Sequence, residues 1–229
     1  RERGIETLDN TRHIGTHIFD VDHTLISGSS GKHFIVTAIR EGVLPRSVML
    51  SIPLVYLRYR LGKLKPAHIN REMPPLRGIH RTTLEEVCRI AYAEQIEPAL
   101  YRDAIDYIRP LQAQGDEIVL ATSSVDIIVE PLAERLGIDA IIASSMEFDS
   151  DGNCTGRFHR VPTFGEEKRA RVLRFLADRG VSPEQCAFYS DSVYDLPLLE
   201  AVGTPVAVNP DFLLARHAKK AGWRIEKFS

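Results

Sequence analysis

The chain has 229 residues, of which 44% are hydrophobic and 26% charged, with a formal net charge of −2. That is the balance of a soluble globular protein, long enough for one large domain or for a core carrying an inserted subdomain. It excludes a polybasic surface built for nucleic acid or anionic membrane. The wide spacing of Cys88, Cys154 and Cys186 argues against a disulfide framework or a zinc site and for a reducing cytoplasm. Residues 1–6 lack the apolar run of a secretory signal.

A first buried strand is expected over 17–21, running into Asp20-Val21-Asp22-His23-Thr24. Side chains alternate along a strand, so Asp20 and Asp22 share a face while strand geometry holds. From about 27 to 114 the pattern is helix after helix. Phe34 and Ala38, with Ile35 and Ile39 beside them, keep helical spacing. Thr82 stands three residues before Glu85 and reads as a helix cap, and Pro98 opens a further helix toward Pro110. The most apolar run, 48–57, contains Pro53 and is well short of the roughly 20 residues a membrane span needs. Its length favours a buried helix in the insert, with a membrane-surface contact or a dimer face as the alternatives.

From Gly115 onward strands and helices alternate. Strands are expected at 117–121, 138–143, 186–189 and 205–208, with helices at 126–136, 166–178 and 195–202. Gly137 closes the first of these helices and Gly180 the second, whose Ala170, Leu173 and Ala177 are expected inward. A hairpin over 148–158 turns at Asp151-Gly152-Asn153. This order predicts an α/β fold: a Rossmann-like parallel sheet with helices on both faces. The helical block interrupts it directly after the first strand, as an all-helical cap of residues 28–111 over a core made of 1–27 and 112–229. Ligands of such folds bind at the carboxyl ends of the strands, which is where the cap would sit.

The polar residues at those ends carry the chemistry. Asp20 and Asp22 converge at the end of the first strand, a costly arrangement unless a cation or a shared proton offsets the repulsion. Ala121-Thr122-Ser123-Ser124 ends the next strand with small and hydroxyl side chains that let backbone N–H groups approach an anion, and Ser123 or Ser124 also suits a helix cap. Lys168 sits in the first turn of a helix, against the dipole, and needs a compensating anion: Glu166 and Glu167, or a phosphate or carboxylate in the site. Ser190-Asp191-Ser192-Val193-Tyr194-Asp195 brings two more acids out of a strand end. Asp20, Asp22 and Asp191 together suit a hard divalent cation such as magnesium, which takes few carboxylates and keeps positions open for phosphate.

In that order, Asp20-Val21-Asp22-His23-Thr24, Thr122, Lys168 and Asp191-Ser192-Val193-Tyr194-Asp195 resemble the motifs of the haloacid dehalogenase superfamily, in its phosphoserine-phosphatase-like branch. The likeness extends over about residues 15–215. The resemblance implies Asp20 as nucleophile, Asp22 as general acid and then base, Thr122 and Ser123 on the phosphate, and Lys168 offsetting its charge. It also implies magnesium held by Asp20, Asp191 and the Asp22 carbonyl, with Asp195 orienting Lys168 or a metal-bound water. Tyr194 departs from the branch, which commonly has Asn there, and His23 replaces a Gly or Ser.

The sequence therefore points to a magnesium-dependent phosphomonoesterase in the cytoplasm, acting through an aspartyl-phosphate on a small phosphorylated metabolite. Phosphoserine is the first candidate substrate and histidinol phosphate or another amino-alcohol phosphate the second. A phosphotransferase or phosphomutase, or a non-catalytic regulatory protein on the same scaffold, are the competing readings. Nucleic acid is not expected as a partner, and nothing in the sequence sets the oligomeric state. Two weaker signals stand aside. Residues 149–160 lack the glycine and glutamate positions of a calcium loop. Arg58, Arg60, Lys63 and Lys65, with Tyr56 and Tyr59, form a basic stretch that suits a solvated helix face, with an electrostatic guide for an anion as the alternative.

Overall fold

The computed structural model describes residues 15–50 and 72–229. Its strands are β1 (Thr16–Phe19), β2 (Glu117–Val125), β3 (Ala140–Ser144), β4 (Met146–Phe148), β5 (Cys154–Phe158), β6 (Cys186–Ser190), β7 (Thr204–Val208) and β8 (Arg224–Glu226). Six of them form one parallel sheet in the order β3-β2-β1-β6-β7-β8, and β4 and β5 form a separate antiparallel hairpin. β1 and β6 are buried along their whole length, as strands covered on both faces must be. Phe19 lies in register with Leu120 on one side and Tyr189 on the other. Asp20, Ala121-Thr122 and Ser190-Asp191 therefore leave the sheet side by side.

The helices are α1 (Ser30–Arg40), α2 (Arg81–Ala91), α3 (Arg102–Ala113), α4 (Asp126–Leu136), α5 (Glu166–Asp178), α6 (Leu196–Leu199) and α7 (Phe212–Ala221). One apolar cluster joins Phe19, Leu120 and Tyr189 to Ile108 of α3, Leu132 of α4, and Phe34 and Leu84 of α1 and α2. A second, on the opposite face, joins Ile18, Val119 and Phe188 to Val172, Leu198 and Leu214 of α5, α6 and α7. The described insert thus shares a core with one face of the sheet. The expected boundary at 111 lies within α3, and just before that helix Tyr101 donates its N–H to Leu25 O at 2.9 Å.

The insert is also tied to the hairpin. Along the open edge of β5, Met73 N donates to Gly156 O, Gly78 N to Cys154 O, Cys154 N to Ile79 O and Arg81 N to Gly152 O, at 2.6 to 2.9 Å. Residues 73–81 therefore satisfy backbone groups that an edge strand otherwise leaves unpaired.

Several boundaries differ from the sequence reading. α2 starts at Arg81 with His80 as its cap, because the His80 ring accepts from Thr82 N. Glu85 bonds no cap and pairs with Arg81 instead. Pro98 lies in a short 3₁₀ turn, Glu97–Ala99, preceded by a π-helical turn, Tyr92–Ile96, and α3 runs through Pro110. On α5 the inward residues are Lys168, Val172 and Leu176, while Ala170 and Ala177 are exposed. α6 is a single turn, and α7 and β8 were not anticipated. The apolar run beyond Leu50 and the basic stretch with Tyr56 and Tyr59 lie outside the described residues. Among the described residues no helix is long and apolar enough to cross a membrane.

Candidate active site

β1 ends at Phe19, so Asp20 is the first residue past the strand, held by a bond from its N–H to Tyr189 O at 2.9 Å. It continues the face of Ile18, the face covered by α5. From the first turn of α5, Lys168 reaches back with its ammonium, donating to Asp20 Oδ1 at 3.1 Å and to Asp195 Oδ2 at 2.8 Å. All three side chains are buried: Lys168 is 1% exposed, Asp195 2% and Asp20 4%. Of the two sources of a compensating anion left open by the sequence, the carboxylates of the site are the ones used. Glu166 and Glu167 pair with Arg169 and Arg171.

Asp195 occupies the cap position of α6 but makes no capping bond; its Oδ2 also accepts from the buried Ser190 hydroxyl at 2.7 Å. Asp191, fully buried, stands at the end of β6, and its carbonyl accepts from Asp211 N at 2.7 Å. Asp211 caps α7 with one oxygen, taking Leu214 N at 2.8 Å, and with the other takes Val193 N at 2.9 Å. That residue braces the whole 191–195 turn. Neither Ser190 nor Asp211 was singled out by sequence. The signal for Asp211 was a helix start after Pro210 that went unread; Ser190 carries none, since a serine ending a strand is ordinary.

Asp22 behaves differently from Asp20. After Phe19 the chain coils, with Leu25 N and Ile26 N both donating to Val21 O, so strand alternation no longer relates the two acids. Asp22 Oδ1 accepts from Ser30 N, in the first turn of α1, at 2.8 Å. The Ser30 hydroxyl donates to Ser124 Oγ at 2.8 Å, joining the start of the insert to the end of β2. His23 sits at φ 59°, in the left-handed region; that geometry accounts for glycine being accepted at such a position. Gly28-Ser29-Ser30-Gly31 forms the start of α1, with the Ser29 hydroxyl as its cap.

β2 runs four residues past the expected end. Ala121 pairs with Ile142 and Val125 with Ser144, so residues 122–124 bulge from the ladder at the site. Thr122 is buried and its hydroxyl accepts from Ser124 N at 3.1 Å. Ser123 is exposed and its carbonyl accepts from the Ser144 hydroxyl. Neither Ser123 nor Ser124 caps α4: the cap position is Val125 and makes no side-chain bond. The Tyr194 ring packs on Phe164 with centroids 4.7 Å apart, linking the Asp191–Asp195 turn to the loop before Lys168.

The electrostatics follow from burial. Burial pushes the Asp20 carboxyl up to about 7, with Lys168 opposing and Asp195 and Asp22 adding to the rise. Burial works against the Lys168 ammonium, yet the carboxylates of Asp195 and Asp20 outweigh it and hold the lysine above its ordinary range. Lys168 is the one buried lysine or arginine among the described residues, beside buried Asp20, Asp191 and Asp195. An excess of buried carboxylate over ammonium suits a divalent cation. Among the described residues no three His, Cys, Asp or Glu side chains assemble as a metal cluster. Asp20 and Asp191 follow neighbouring strands, and with the backbone carbonyl of Asp22 they would make an all-oxygen donor set of the kind a magnesium ion takes.

A family model described as haloacid dehalogenase-like hydrolase matches residues 18–200. The chain belongs to the haloacid dehalogenase-like hydrolase family. Among its relatives, a histidinol-phosphatase of Neisseria meningitidis serogroup C is 34% identical over 216 residues, covering 92% of this chain and 97% of its own length. A phosphoserine phosphatase of Mycobacterium tuberculosis is 33% identical over 218 residues, covering 92% and 70%. A solved structure from Bordetella pertussis, of a protein of unknown function, matches with a TM-score of 0.80 at 30% identity, over 92% of this chain and 97% of that one. A substrate-bound phosphoserine phosphatase shares the fold, with a TM-score of 0.68 at 20% identity over 93% of each chain. The chain is a phosphatase of this family.

Proposed function

We propose that the protein hydrolyses a small phosphomonoester with magnesium, through an aspartyl-phosphate on Asp20, in the cytoplasm. The observation that carries this reading is the buried Lys168 ammonium bridging Asp20 at 3.1 Å and Asp195 at 2.8 Å. A lysine so placed keeps a third N–H for a phosphate oxygen while stabilising the carboxylate that attacks phosphorus. Asp22 protonates the leaving oxygen and then takes a proton from water; the Ser30 amide, which accepts no proton, holds that carboxylate in place. The Thr122 hydroxyl and the bulged backbone beside it receive phosphate oxygens. Bound at Asp20, Asp191 and the Asp22 carbonyl, magnesium supplies positive charge against the phosphoryl group, which is most of what such a transfer asks of its site.

The leaving group we assign is an amino alcohol, with phosphoserine and histidinol phosphate as the compounds to try first. Support comes from relatives named for each, which cover most of this chain at 33% and 34% identity. The test is phosphate release from a panel of phosphorylated metabolites, with magnesium or with chelator, alongside Asp20→Asn. Chelator-sensitive release that falls at least about a thousandfold in Asp20→Asn is expected. Wild-type turnover by Asp20→Asn would reject the covalent route, and a second phosphorylated product in place of free phosphate would make the protein a transferase.

A further inference from the structure

Asp195 receives two hydrogen bonds on one oxygen, from Lys168 Nζ at 2.8 Å and from Ser190 Oγ at 2.7 Å. The Ser190 hydroxyl in turn accepts from Ser192 N at 3.2 Å. Ser190 is the last residue of β6 and has no exposed surface. Its hydroxyl is therefore fixed by the sheet on one side and by the following turn on the other. Asp195 lies past the strand, at the end of the short turn Val193–Asp195; its N–H donates to Ser192 O at 3.0 Å, and Oδ2 of its carboxylate accepts from Lys168 and from Ser190.

An ammonium has three hydrogens. Two on Lys168 go to Asp20 Oδ1 and Asp195 Oδ2. Once both acceptors stand still, tetrahedral geometry sets the direction of the third. We propose that Ser190 is a positioning residue, whose hydroxyl fixes the Asp195 carboxylate and so aims the third N–H of Lys168 at the phosphoryl group. This rests on the hydrolytic reading above; Ser190 itself touches no reacting atom.

The test compares Ser190→Ala and Ser190→Cys, which lose or weaken the donor, with Ser190→Thr, which keeps it, using magnesium and p-nitrophenyl phosphate. In Ser190→Ala, kcat is expected to fall about tenfold with KM within about twofold, since the loss is felt mainly in the transition state. Ser190→Cys should fall between, and Ser190→Thr should recover most of the loss. In an Asp195→Ala background, which leaves the hydroxyl no acceptor at that position, the same Ser190→Ala change should cost less than about twofold in residual kcat, because the hydroxyl acts only through Asp195. Wild-type kcat in Ser190→Ala, or a full tenfold loss on top of Asp195→Ala, overturns the inference. A crystal structure of Ser190→Ala decides it without any assay. Asp195 turned off Lys168 supports the role; an unchanged Lys168–Asp195 contact rejects it, including where the wild-type protein releases no phosphate from any ester, the result that would reject the hydrolytic reading instead.

Discussion

Lys168 is a charged residue on the inward face of a helix, and its burial is tolerable only because Asp20 and Asp195 meet it there. Removing one member of such a group leaves buried charge behind. Lys168→Met is therefore expected to abolish turnover and, in chelator, to lower stability by about 3 kcal/mol, read from urea unfolding; unchanged stability would mean the carboxylates are solvated. Asp20 makes a second prediction at this scale. With burial holding its carboxyl up to about 7, against roughly 4 in an unfolded chain, the folded protein keeps a proton that the unfolded one releases. The stability this group contributes is full below about pH 4 and is lost as pH rises through about 7. Cation binding opposes that loss, so the rise in Tm on adding magnesium is expected to grow by several degrees between about pH 5.5 and pH 8. A shift independent of pH would place the cation elsewhere.

Among the elements, the strip 73–81 laid along β5 distinguishes this insert from a lid swinging on two strands alone. Gly156 makes the contact close: at φ 75°, an added Cβ would come within 3.1 Å of Arg77 Cβ and 3.3 Å of Met73 O. Gly156→Ala should cost about 1–3 kcal/mol and speed hydrogen exchange at the Met73 and Gly78 amides, which bond to the hairpin. Unaltered exchange there would show that the strip is held by its side chains. The helix α5 shows why an inward face was misread at this scale. Its buried positions 168, 172 and 176 begin with a lysine, so a pattern sought among apolar residues settles on the wrong stripe.

For the whole molecule, one apolar cluster runs from the insert to the sheet on the face of α3 and α4, so the two are expected to unfold together. Leu84, Val87 and Cys88 of α2 belong to the same buried set as Ile127, Ile128 and Leu132 of α4. Leu84→Ala should lower global stability by about 2–5 kcal/mol while unfolding stays a single transition by far-UV and near-UV circular dichroism. A separate early transition would make the described insert an independent domain.

What the sequence by itself determined is what depends on local order: the alternation of buried strands and helices, the acids and hydroxyls at strand ends, and the placing of Lys168 one turn into a helix. Period-2 and period-3.6 patterns and turn chemistry act over neighbouring residues, so β1, α1, α4, α5 and the hairpin were legible from them. The tertiary structure decided which groups meet. Lys168 finds Asp20 and Asp195 rather than Glu166 and Glu167, Asp22 finds Ser30 rather than Asp20's partner, and Ser190 and Asp211 brace a turn from 5 and 18 residues away in the chain. Such pairings arise because parallel strands set distant segments side by side in register, and because burial forces each polar group to take the nearest partner in space.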